Sequence, residues 1–198
     1  MNGWAVSGRR SAAALSVTDQ SPLTKVAIRA SLDGAMAETL GVRFGHAVRL
    51  SWDVNGSTTD VLLIGSGPGE WLVVAWPGEQ TEVIGWLEDA AAQAGELVSI
   101  LDMTHGRALV RLTGTRAPDL LAKECGVDLH EALCPNGSAL RSAVAGVATD
   151  LVRDDRDGTR SYLLHCERSS GQYLFDSLLD AGREFGVDVN GFVPPEIQ

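Results

Sequence analysis

The densest group of reactive side chains is Asp102-Met103-Thr104-His105-Gly106-Arg107. It puts an acid, a hydroxyl, an imidazole and a guanidinium just before an apolar run. Such a set can contact a ligand or a partner. Asp102 or Thr104 can equally satisfy backbone amides where two parts of the chain join, and the sequence leaves both readings open. A second group is Gly65-Ser66-Gly67-Pro68-Gly69-Glu70. A nucleotide-binding glycine loop lies between a strand and a helix, whose N-terminus holds the phosphates. Here the apolar segment 71–75 follows, Pro68 has no amide to offer, and no Gly-Lys-Ser/Thr ending is present. A tight turn between strands is expected.

The other reactive types are scattered. None of His46, His105, His130 and His165 stands at ligand spacing from another His or from a Cys in a closed metal set. His165 and Cys166 are neighbours on a predicted strand, so they point to opposite faces. Cys125 and Cys134 do not have zinc spacing. Lys123 lies close enough to Cys125 to lower its thiol pKa, but Cys125 closes a predicted helix and is expected to pack beneath it. No Gly-x-Ser-x-Gly elbow occurs. Asp150, Asp154, Asp155 and Asp157 fall mostly in a polar stretch, read as a solvated loop with Asp157-Gly158 as the turn itself. No catalytic, cofactor-binding or metal-ligating set is assigned.

The elements that carry these residues follow from periodicity. Val26-Ala27-Ile28-Arg29-Ala30 and Val48-Arg49-Leu50-Ser51-Trp52 alternate and predict strands, with a short helix over 34–40 between them. Asn55-Gly56 predicts a hairpin into Val61-Leu62-Leu63-Ile64. A further strand over 71–75 stops at Pro77-Gly78. From 79 to 94, Val83, Ile84, Leu87, Ala91 and Ala94 recur at helical spacing, and Gly95 is a natural stop. The second half predicts a strand over 109–112 and a helix over 115–123 with Pro118 in its first turn. Strands over 148–152 and 162–166 follow, then a helix from 170 to 185.

These two halves resemble each other. Trp71-Leu72-Val73 aligns with Tyr162-Leu163-Leu164, and without a gap Val83 falls on Leu174, Leu87 on Leu178 and Gly95 on Gly186. Ile28-Arg29 aligns with Val110-Arg111, so the second half carries extra residues in its middle loop. The expected fold is α+β, two tandem two-layer sandwiches, each an antiparallel sheet with helices on one face. The predicted organisation is an N-terminal arm over 1–22, a first unit over 23–98, a second over 99–192 and a tail over 193–198.

Composition narrows the classes. The 198 residues are 44% hydrophobic and 21% charged, as in globular proteins. Lys and Arg number 16 against 26 Asp and Glu, a net charge of −10. That balance disfavours nucleic-acid binding and attachment to anionic membranes. No apolar run approaches the roughly 20 residues of a bilayer span. Three cysteines, an odd number, read as reduced thiols in a cytoplasmic protein. Arg9-Arg10 precedes too short an apolar stretch for an export signal. Trp71 and Trp86 fit core positions, whereas Trp4, Trp52 and Trp76 fall near edges and loops, where exposed aromatics favour a protein–protein surface.

The segment from Ser99 through Asp102-Met103-Thr104-His105-Gly106-Arg107 to Leu112-Thr113-Gly114, continuing through Leu120-Leu121-Ala122-Lys123-Glu124-Cys125 to Leu129-His130, resembles the gamma subunit of heterotetrameric sarcosine oxidase. Ser21-Pro22-Leu23, Gly67-Pro68-Gly69-Glu70-Trp71-Leu72 and Gly171-Gln172-Tyr173-Leu174-Phe175 fit the same family, and the likeness runs in order from about residue 20 to about residue 188. That subunit is similar in fold to the folate-binding domains of the glycine-cleavage T-protein, an aminomethyltransferase.

The resemblance implies a structural, noncatalytic subunit of a flavoenzyme that oxidises sarcosine to glycine, with hydrogen peroxide and a one-carbon unit as products. FAD, FMN and tetrahydrofolate, with NAD and zinc, are then expected on partner subunits and none on this chain. The alpha subunit is the primary partner, beside beta and delta. Relatives that act on dimethylglycine or N-methylglutamate form an alternative, and a stand-alone folate-binding protein or aminomethyltransferase a rival of another class. The T-protein pattern Asp-Asp-Leu-Ile-Val supplies the acid that works on the folate-linked substrate. Here the matching stretch is Thr149-Asp150-Leu151-Val152, which keeps one acid, and Cys166-Glu167 stands where that pattern has Asn-Ala. The rival reading requires Asp150 to face a folate pocket.

Overall fold

Turns that need positive φ set the register of the strands. Ala145 and Gly146 take φ of 51° and 76°, and Asp157 and Gly158 take 49° and 74°, the geometry of two-residue hairpins. The structure, a computed structural model, describes residues 15–54 and 57–191. In chain order the elements are β1 (Leu15–Asp19), β2 (Thr24–Arg29), α1 (Ala35–Leu40), β3 (Ala47–Val54), β4 (Ser57–Gly67), β5 (Glu70–Ala75), α2 (Gln80–Ala94) and β6 (Ser99–Asp102). Then follow β7 (Arg107–Gly114), α3 (Ala117–Glu124), β8 (Ala139–Val144), β9 (Val147–Arg153), β10 (Ser161–Glu167), α4 (Gly171–Gly182) and β11 (Asp188–Asn190).

One compact unit holds residues 23–106 and 137–140. Its five strands run in the order β3-β4-β5-β2-β6, antiparallel throughout. Alternation along β2 and β5 sends Val26, Ile28, Trp71 and Val73 into one core, where Met36 and Leu40 of α1 and Val83 and Leu87 of α2 meet them. Each of these fully buried aliphatic side chains contributes roughly 1.5–3 kcal/mol. Val54 pairs with Ser57, so the predicted β3–β4 hairpin forms, although Asn55 and Gly56 lie outside the described residues. Trp52, expected near an edge, is 7% exposed and stacks on Trp86 with ring centroids 4.0 Å apart. Its position in β3 turns it toward α2, a contact that a strand pattern does not reveal. Trp76 is exposed as expected, and Trp4 lies outside the described residues.

The other compact unit comprises, among the described residues, 15–22, 107–136 and 141–191. Its sheet runs β11-β1-β7-β10-β9-β8, with β1 and β11 parallel. α3 and α4 cover the face that carries Leu15, Val17, Leu112, Tyr162 and Leu164, all buried. A Cβ on Gly171 would collide with Ala108, so glycine lets the start of α4 close onto β7. The helix expected to reach 185 ends at Gly182 and continues as a single 3-10 turn, Arg183–Phe185.

The internal repeat is real in three dimensions. From β2 and again from β7, the chain follows strand, helix, three strands, helix, strand. The register refines it: Ile28 pairs with Trp71 as Leu112 pairs with Tyr162, so Ile28 corresponds to Leu112 rather than to Val110. Two segments cross the expected boundaries. Residues 15–19, within the expected arm, form β1 against β7, and residues 99–102 form β6 against β2. Each supplies backbone partners that a buried strand would otherwise lack.

Candidate functional site

The group at 102–107 is bound up in its own backbone. Asp102 accepts the Thr104 N–H at 2.8 Å, and Thr104, buried, accepts the Lys25 N–H through its hydroxyl at 3.1 Å. Burial pushes the Asp102 carboxyl up, but the Thr104 bonds outweigh it and hold it below its usual value. His105 is exposed, and Arg107 pairs with Glu167 at 2.7 Å. The glycine segment is a strand-to-strand turn: β4 bulges between Gly65 and Gly67, Gly69 has φ of 69°, and Glu70 pairs with Arg29. A Cβ at Gly65 would overlap the Arg43 carbonyl, so close packing accounts for this glycine. Cys125, Cys134 and Cys166 are buried and form no disulfide, and burial raises the Cys166 thiol. His46 and His130 are exposed, apart from any such group.

The acidic stretch departs from the expected solvated loop. Only Asp157 occupies the turn. Asp154 is buried and paired with the equally buried Arg111 at 2.7 Å; Arg111 also donates to Ser161 at 2.8 Å and to Gln20 at 3.0 Å. Asp155 receives Arg153 at 2.8 Å and the Ser161 N–H at 3.1 Å. Burial pushes the Asp155 carboxyl up, and those bonds more than offset it. A buried guanidinium needs such partners, and the two arginines, on strands β7 and β9 that flank β10, draw the aspartates in.

Asp150 anchors the remaining cluster. It lies directly opposite His165 in the β9–β10 ladder, on the sheet face away from α3 and α4. Its Oδ2 is 3.1 Å from His165 Nδ1, while Arg141 of β8 grips both carboxylate oxygens, Nε on Oδ1 and a terminal nitrogen 3.2 Å from Oδ2. Burial opposes charge on Asp150, yet the bonds from His165 and Arg141 outweigh it and hold the carboxyl at about 2. Asp150 is thus a fixed anion whose oxygens are committed to side chains of this protein. His165 is 7% exposed, and its Nε2 is buried without a hydrogen-bond partner. Among the described residues no group of three His, Cys, Asp or Glu is arranged to hold a metal ion.

Residue types alone pointed to neither Arg141 nor His165 as partners of Asp150. The turns did carry that information. A two-residue turn at Asp157-Gly158 places Asp150 opposite His165, and one at Ala145-Gly146 brings Arg141 beside Asp150.

Residues 13–193 match the model of the GCVT N-terminal domain. The chain is 28% identical over 154 residues to the sarcosine oxidase subunit gamma of Corynebacterium sp. (strain P-1), covering 78% of this chain and 71% of that protein. It is 23% identical over 180 residues to the human mitochondrial dimethylglycine dehydrogenase, covering 88% of this chain and 21% of that protein. The chain therefore spans about a fifth of the dehydrogenase's length. Among solved structures it is similar to a chain of the heterotetrameric sarcosine oxidase from Corynebacterium sp. U-96, with a TM-score of 0.69, 25% identity and coverage of 91% and 88%. The glycine cleavage aminomethyltransferase T of Bartonella henselae shares the fold, with a TM-score of 0.69 and 17% identity, over 90% of this chain and 48% of that one.

Proposed function

The chain belongs to the GCVT N-terminal domain family, and from that premise we propose that it is a noncatalytic gamma-type subunit of a heterotetrameric sarcosine oxidase. In this reading the assembly oxidises sarcosine to glycine, and flavin, folate and zinc sit on the larger and smaller partner subunits. The alpha subunit is the primary contact, and the location is cytoplasmic. No helix among the described residues is long and apolar enough to cross a membrane.

The observation that carries the reading is the state of Asp150. In the aminomethyltransferase pattern the corresponding acid is available to a folate-linked substrate. Here Arg141 and His165 both bond it, and its lowered pKa keeps it ionised with weakened basicity, so it has no proton to give and little tendency to take one. The chain's own residues therefore do not fit a folate-handling acid, and a kept fold without its working acid suits assembly. The likeness to the human dehydrogenase supports a second reading, in which the parent complex acts on dimethylglycine.

Purification of the tagged chain from its native host tests the proposal. Yellow partners of larger mass, with sarcosine-dependent peroxide formation, are the expected result. A colourless chain that purifies by itself and binds tetrahydrofolate would overturn it.

A further inference from the structure

We propose that the open edge of β6 receives an extended, cationic segment of a partner subunit, which adds to the five-stranded sheet as a sixth strand. The inference rests on the subunit reading above and deepens it by naming the surface and the chemistry of what binds there.

The first observation is the hydrogen-bond phase of β6. Met103 donates its N–H to the Lys25 carbonyl at 2.8 Å, continuing the ladder in which Leu101 faces Ala27 and Ser99 faces Arg29. Bonded positions of an antiparallel pair recur at every second residue. The N–H and C=O of Ile100 and Asp102 therefore point away from β2, at the end of the sheet order, where no strand follows among the described residues. An extended backbone pairs with such a row in full register. The edge has no lysine, proline or bulge to protect it, and Leu97 and Leu101 beside it are 94% and 57% exposed.

The second observation is the internal repeat. The corresponding edge of the other sheet carries one strand more: β1 lies against β7, and β11 lies outside β1. In the five-stranded sheet β6 takes the place equivalent to β1, and the place equivalent to β11 is open. The same architecture thus accepts a further short strand at this position.

Charge selects the occupant. The segment 79–102, which holds α2 and β6, has no Lys or Arg but six Asp and Glu. Glu82, Glu88 and Asp89 are exposed on α2, the helix that packs on β6, and form no ion pair among the described residues. Asp102, on β6 itself, is exposed as well. Two copies of this chain joined edge to edge would bring like charges together. A segment bearing Lys or Arg between apolar residues complements the edge instead.

Amide hydrogen exchange on the full chain, alone and in the flavoprotein complex it co-purifies with, tests the proposal. The Ile100 and Asp102 amides are expected to exchange freely in the chain alone and to slow about tenfold or more in the complex. Leu101→Lys and Ser99→Lys, both at exposed side chains, are expected to weaken the complex about tenfold while the Leu101 ladder amide stays protected. The complex should also loosen as salt rises. An intact complex in which Ile100 and Asp102 still exchange at the free-chain rate overturns the surface and leaves the subunit reading standing. So does a slowing in the chain alone that dilution reverses, since that marks self-association. A chain with no flavoprotein partner overturns the subunit reading, and this surface with it.

Discussion

Asp150 and His165 face each other across β9 and β10, with the carboxylate 3.1 Å from the imidazole Nδ1 and Arg141 closing its other side. Three adjacent strands thus contribute one residue each to a charge row on the sheet face opposite the helices. That row bonds the Asp150 carboxylate to Arg141 and His165, and its consequences for stability and for activity can be measured separately.

The first is a pH dependence. The folded carboxyl titrates at about 2, below the value near 3.9 of an unfolded chain. A depressed pKa contributes stability that is complete above the unfolded value and is lost as pH falls through the folded one. The contribution is on the order of 2 kcal/mol at neutral pH and disappears between about pH 5 and pH 2. Asp150→Asn should lower the melting temperature at pH 7 and flatten the fall in that window. Parallel wild-type and variant profiles down to pH 2 would contradict this.

Arg111 and Asp154 form a second, drier pair, each side chain under a tenth exposed. Arg111→Met leaves the Asp154 carboxylate buried without its main counter-charge and should cost about 3–5 kcal/mol in denaturant unfolding. Replacing both residues with apolar ones of similar volume should recover most of that loss. A double variant as unstable as the single one would show that the hydrogen bonds to Ser161 and Gln20, rather than charge pairing, hold this region.

The thiols offer a test of burial. Cys125, Cys134 and Cys166 are 6%, 1% and 0% exposed, and none forms a disulfide. Ellman's reagent should react slowly with the native chain and rapidly with three thiols once it is denatured. Rapid native labelling of Cys166, whose thiol burial raises, would contradict its complete burial.

The sequence disclosed the long, strongly periodic elements: β2 to β5, α2, β7, β9, β10 and α4 all lie where apolar spacing puts them. The short edge strands escaped for a physical reason. In β6 the burial runs exposed, half-buried, exposed, exposed, so no period of two is written there. β11 has three residues, and β8 alternates weakly at a sheet margin. β1 does alternate, with Leu15 and Val17 buried, but its partner β7 lies far along the chain and nothing local announces the pairing. At the site, Asp150 was legible through its resemblance to the aminomethyltransferase pattern. Its partners depend on register, which two positive-φ turns encode and residue spacing by itself does not. The junction residues Asp102 and Thr104 left two readings open until the backbone bonds to Thr104 and Lys25 were located.

In the proposed function this chain carries no reacting group. The measurement that bears on it most directly is sarcosine-dependent peroxide formation by the purified complex carrying Asp150→Asn. If Asp150 only stabilises its own unit, kcat/KM stays within about twofold of wild type wherever the complex remains assembled. A fall of about a hundredfold or more in an intact complex, the size expected for loss of a working acid or base, would contradict a noncatalytic role.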